Sequence, residues 1–149
     1  MWNDLKRYRD ASPGRRHLLW EALVTLAIVR IIMACVPFRR IANWLGTPGA
    51  QSPGTVIAEA TRTAEAVGWA VEAMGRRVPW DGRCLAQALA ATSMLRRRGI
   101  EGTVALGVCD GKSSEFEAHA WVRVGSSIVT GGAEHKRFKA FTTFSRAAS

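Results

Sequence analysis

At Gly99 the hydrophobic period of this chain changes from 3.6 to 2, and that switch limits the fold more than any other feature. Before it, Leu85, Ala88, Leu89, Thr92 and Leu95 recur at helical spacing and give a helix with one apolar face. Asp81 stands where such a helix takes its N-cap. Arg96, Arg97 and Arg98 fall in its last turn, where cations favour the dipole, and Gly99 supplies the stop. After the switch, Val104, Leu106 and Val108 alternate, and Asp110-Gly111 is a hairpin-turn dipeptide. In the stretch Glu115 to Val124, residues Phe116, Ala118, Ala120, Val122 and Val124 share one face. Glu117, His119, Trp121 and Arg123 share the other. Gly125-Ser126 turns the chain into a third strand, Ser127 to Thr130, ending in Gly131-Gly132. A helix followed by a three-stranded antiparallel meander is an α+β core.

Upstream the punctuation marks further elements. Residues 1–16 are polar and basic and read as an arm. Leu18 to Val36 is an apolar run about long enough to cross a bilayer. Glu21 and Arg30 interrupt it, and a charge at mid-span costs on the order of 3 kcal/mol on insertion scales. The expectation is a helix covered by the rest of the fold or by a partner, because a helix apolar nearly all round must be covered. Pro37 breaks it, and a short helix from about Phe38 ends at Gly46. Thr47 to Thr55, with two prolines and two glycines, reads as a linker before an Ala-rich helix from about Val56 to Met74. The organisation expected is a docking region over 1–46, a linker and second helix over 47–78, and the α+β core over 79–149.

Twenty-one basic residues against twelve acidic ones give a net charge of +9, spread through both halves. Such a field favours anionic partners without choosing among them. The arginine triplet has a sufficient reading as helix-end charge, so no nucleic-acid partner is expected. The basic pairs flanking the apolar helix leave open a peripheral membrane contact. Three cysteines, an odd and sparse set, argue against a disulfide scaffold and for a reducing, cytoplasmic compartment.

Cys84 sits in the first turn of its helix, beside unpaired backbone N–H groups and the positive dipole end, where the nucleophilic thiolate is favoured. His119 lies on the polar face of its strand. Brought within hydrogen-bond reach, the two form an activated Cys–His pair. Spacing alone leaves open the plainer alternative, a structural Cys84 and an exposed His119. No metal is expected, because Cys84, Cys109, His119 and His135 include no close ligand pair. His17 and His135, each beside basic residues, read as exposed, and no glycine-rich stretch has phosphate-loop spacing, so no cofactor is expected.

The order of motifs adds a resemblance. Trp80, Arg83-Cys84-Leu85, Ala88-Leu89, Met94-Leu95-Arg96-Arg97 and Gly99-Ile100 are followed by Leu106-Gly107-Val108 and by Phe116, Ala118-His119-Ala120-Trp121-Val122. That series, over roughly 79–132, resembles the transglutaminase-like cysteine peptidases of lasso-peptide biosynthesis, in particular the stand-alone leader peptidase. Pro37-Phe38-Arg39-Arg40 and Trp44-Leu45-Gly46 are similar to the same family's N-terminal region.

The resemblance implies a papain/transglutaminase-like fold, a Cys-bearing helix on a small antiparallel sheet with an N-terminal helical region. It implies Cys84 as nucleophile and His119 as general base, then acid. Its implied partners are a precursor peptide with its leader, a separate leader-recognition protein and an asparagine-synthetase-like cyclase. Two departures stand out. Arg123 occupies a position where the family commonly has glutamate. The acid that orients the histidine is expected about a dozen residues further on, near Thr130-Gly131, and neither is acidic. Glu117 and Glu134 are candidate substitutes, so the third group stays unassigned. The alternatives are a non-catalytic adaptor that binds precursor or cyclase, and a basic nucleic-acid or membrane-surface module.

Overall fold

The computed structural model describes residues 13–79, 84–110, 116–133 and 135–146. Residues 1–12, Trp80, the Asp81 cap, Arg83, the turn after Asp110 and Glu134 lie outside the described residues, as do the side chains of Cys109, Phe116 and Glu117.

Pro37 and Gly46 cut the N-terminal apolar stretch into two helices, as their chemistry requires. Helix α1 spans Pro13–Cys35 and α2 spans Phe38–Leu45. Arg15 and Arg16, expected in the arm, are therefore helical. On α1, Leu19, Ala22, Leu26 and Val29 recur at steps of three and four and form one buried stripe, which packs on helices α3 (Ala58–Gly75) and α4 (Cys84–Arg97). The opposite side stays open: Trp20 is 58% exposed and Ile31 64%. The described residues therefore cover only one side of this most apolar helix.

The five strands, β1 (Thr47–Pro48), β2 (Thr103–Asp110), β3 (Phe116–Val124), β4 (Ser127–Thr130) and β5 (Lys139–Ser145), form one antiparallel sheet in the order β1-β5-β2-β3-β4. The expected meander is its β2-β3-β4 half. The segment after Gly132 adds β5 against β2, and Thr47-Pro48 of the expected linker pairs with β5. The rest of that linker is also tied down, since Ser52 is buried and its N–H donates to Thr103 Oγ1 at 2.8 Å. Val104, Ala120, Val122, Val124, Val129 and Phe144 face the helices and share one core with Leu26, Leu45, Val67, Val71, Leu89, Met94 and Leu95.

Each arginine of the triplet at the end of α4 has a partner from a distant segment. Arg96 lies over the Trp44 ring and donates to Leu45 O at 2.5 Å and to Glu101 at 3.1 Å. Arg97 donates to Thr25 Oγ1 at 2.9 Å, and Arg98 pairs with Glu21 at 2.6 Å. These cations close the helix end against α1 and α2. Arg123 is likewise structural: its guanidinium donates to the carbonyls of Gly125 and Ser52 and to Thr103 Oγ1.

Candidate active site

Helix α4 opens at Cys84, which is half-buried and borders the core. The helix lies on β3, and only five residues connect it to β2, so β2 runs back beside it. Thirteen helical rises of about 1.5 Å set Cys84 about 20 Å from Arg97. Five or six strand rises of about 3.3 Å cover the same distance from Thr103, reaching Val108 or Cys109. His119 pairs with Gly107 in the β2–β3 register, so cysteine and histidine occupy the same end of the sheet.

They do not share a face of it. Alternation along β3 sends Ala120 and Val122 to the helix-side core and His119 and Trp121 to the other side. Trp121 there covers Gly107, and the His119 ring stacks between Phe138, at 4.8 Å, and Trp121, at 5.9 Å. No hydrogen bond joins Cys84 to His119 among the described residues.

The contact His119 does make is a hydrogen bond between Nε2 and the carbonyl of Gly131, at 2.9 Å. A carbonyl only accepts, so Nε2 must carry the hydrogen and a neutral ring keeps its lone pair on Nδ1. This is the tautomer a general base needs, with the free nitrogen opposite the anchored one. Gly131 stands twelve residues beyond the histidine, at the place where the resemblance expects an orienting acid. A side chain does not fit there. Gly131 has φ +72°, and a Cβ on it would lie 2.9 Å from His119 Nε2 and 2.7 Å from Ala120 O. Its main chain holds the ring instead.

Sequence reasoning missed three residues that touch this ring or the groups holding it. Phe138 follows the 3₁₀ turn His135–Arg137 and supplies the stacking face. His135, expected to be exposed, is half-buried: its Nδ1 bonds Gly132 O at 2.8 Å and its ring lies 6.2 Å from Trp121. Glu72 on α3 accepts the Gly131 N–H at 3.0 Å. Only the Gly131-Gly132 pair left a trace in the sequence, as a strand stop. Among the described residues no three His, Cys, Asp or Glu side chains group as metal ligands.

A cysteine-headed helix laid on an antiparallel sheet that carries a histidine strand defines an α+β domain of the papain/transglutaminase kind. Comparison with known families places the chain more narrowly: it belongs to the transglutaminase-like superfamily, whose description it matches over residues 32–143. Cysteine proteases and acyltransferases are common in that superfamily. Comparisons with curated proteins and with solved structures found no match.

Proposed function

We propose that this chain is a cysteine endopeptidase that removes the leader from a ribosomally made lasso-peptide precursor. Cys84 is the nucleophile and His119 the general base, then acid. The Cys84 thiol passes its proton to His119 Nδ1, and the resulting thiolate attacks the scissile carbonyl, forming an S–C bond as the C=O π bond opens to an oxyanion. The C–N bond then breaks, and His119 returns that proton to the departing amine of the core peptide. Water, deprotonated by His119, hydrolyses the thioester left on the leader. The backbone N–H of Cys84, at the helix start, is one donor for the oxyanion.

The observation that supports this most is the anchored Nε2 of His119, at the same end of the sheet as a helix-start cysteine, in a transglutaminase-like domain. For that proton transfer the His119 ring has to come round from its side of the sheet to the Cys84 end of α4, a rearrangement that substrate binding would have to drive. The precursor class rests on the likeness of the Cys84 and His-Ala-Trp-Val segments to lasso-peptide leader peptidases. The same likeness supports a cytoplasmic location and two partners, a leader-recognition protein and a cyclase.

The recognition protein has a candidate surface. Trp20, Val24, Ile28 and Ile31 on α1 are exposed. Beside them a groove of about 320 Å³ between α1, α2 and α4 is lined by Ile28, Ile32, Ile41, Trp44 and Leu89, with Arg40 and Arg97 also on its walls. Apolar anchors between arginines fit an amphipathic, acid-flanked segment. The open Cys84–His119 geometry favours a second reading, an adaptor that keeps the fold without the chemistry.

Alkylation by iodoacetamide at neutral pH separates the two. Cys35 is exposed and Cys84 half-buried, so access alone favours Cys35. The peptidase reading requires Cys84 to react faster and to slow in His119→Ala. Faster reaction at Cys35, indifferent to His119, leaves the adaptor.

A further inference from the structure

We propose that Glu72 is a positioning residue for the His119 base, acting through the main chain of Gly131. It occupies no place in the expected catalytic set, and it lies far from His119 in sequence, on the second long helix. Its carboxylate accepts the Gly131 N–H at 3.0 Å, and the Gly131 carbonyl in turn accepts from His119 Nε2 at 2.9 Å. One residue is thus held at both its polar atoms, by helix α3 on one side and by the imidazole on the other.

The need for such a hold follows from the conformation. Gly131 is in the left-handed region at φ +72°, and glycine has the freest main chain of any residue. A carbonyl on an untethered glycine could rotate away and release the ring to its other tautomer. A side-chain carboxylate carries its own rigid geometry; a glycine carbonyl borrows it from whatever fixes the glycine. Glu72 is placed for this by Gly68, one helical turn earlier on the same face. A Cβ at Gly68 would overlap the Val129 carbonyl, so glycine lets α3 close on β4, and the next turn reaches Gly131. The resemblance puts the third group of the site in an acidic side chain on a later segment; here it is divided between a glycine carbonyl and a helical glutamate.

The assay reads the tautomer first and activity second, so that only the second depends on the peptidase reading. At about pH 9, where an ordinary imidazole is neutral, the ¹⁵N spectrum of the His119 ring shows which nitrogen bears hydrogen. The wild-type chain should carry it on Nε2. Glu72→Gln keeps an oxygen acceptor and should preserve that tautomer. Glu72→Leu keeps the bulk without an acceptor and should populate the Nδ1–H form. With a cleavable precursor, Glu72→Leu should lose about 10²-fold in kcat with KM nearly unchanged, the scale expected of a misplaced catalytic group, and Glu72→Gln should recover it. An Nδ1–H tautomer in the wild-type chain, or an unchanged tautomer in Glu72→Leu, overturns the proposal. If Glu72→Leu does not fold, amide exchange at wild-type Gly131 decides: protection supports the contact, and exchange as fast as in a free peptide refutes it. A chain that cuts no precursor yet shows the tautomer change refutes the peptidase reading alone.

Discussion

Gly131 and Gly99 have nearly the same backbone conformation, φ +72° and +71°, in opposite surroundings, and that pair isolates the geometry of the site. An alanine at either position pays for a left-handed conformation, about 1–2 kcal/mol. At Gly99 the new methyl meets nothing within 4 Å. At Gly131 it meets Ala120 O at 2.7 Å and both His119 Nε2 and Trp121 Cβ at 2.9 Å. All three neighbours belong to β3, so relief needs movement of that paired strand or of the anchored ring, at about 1–3 kcal/mol. Gly131→Ala should therefore be less stable than Gly99→Ala by about 1–3 kcal/mol. At this chain length that corresponds to a Tm lower by about 3–10 °C. Thermal unfolding followed by circular dichroism measures it, with the two variants compared at one protein concentration and pH. Equal Tm values in both variants would falsify the close approach of Gly131 to the His119 ring, and with it the main-chain anchor.

Other expectations concern the helices and the remaining carboxylates. The Arg98 guanidinium, by hydrogen bonding Glu21, holds that carboxyl below its usual range against the opposing effect of partial burial. A carboxyl with a lowered folded pKa stabilises above its unfolded value, near 4.3, and the contribution disappears as pH falls through the folded value. Urea unfolding of wild type and Glu21→Gln should thus differ by up to about 1 kcal/mol at pH 7 and converge in acid; a gap that persists at about pH 2 contradicts this. Ile28→Glu and Ile31→Glu, placed on the open side of α1, should leave Tm within about 2 °C while weakening capture of the recognition protein. Unchanged capture moves the docking surface elsewhere. Glu117→Gln and Glu134→Gln should each slow precursor cleavage far less than His119→Ala, because the main chain already anchors the ring; a thousandfold loss in either one places the orienting group there.

What the sequence disclosed and what it hid divide along a physical line. Side-chain periodicity exposed the Cys84 helix, the two faces of the His119 strand and the breaks at Pro37 and Gly46, because burial selects apolar residues at a repeat. Strand β5 escaped because only Phe144 and Ser145 at its far end are buried, so Lys139 to Thr143 show no apolar alternation. The two-residue β1 is too short, and too rich in turn formers around it, to look like a strand. The arginine triplet was legible as the end of a helix. Its partners were not, since Glu21, Thr25 and Leu45 lie more than fifty residues before the arginines they meet, Arg98–Glu21 spanning 77. The orienting group of His119 was the least legible feature. A carbonyl belongs to every residue and marks none, and Glu72 resembles any glutamate on a helix until α3 is laid against β4.

The central claim is that Cys84 and His119 together cut a peptide bond. Its most direct measurement is mass spectrometry of a candidate lasso-peptide precursor after incubation with a leader-recognition protein and with wild type, Cys84→Ala, His119→Ala, Cys35→Ala or Cys109→Ala. The account predicts a free leader and a free core peptide from wild type and from the Cys35 and Cys109 variants, and intact precursor from the other two. Leader release by Cys84→Ala at the wild-type rate would contradict it.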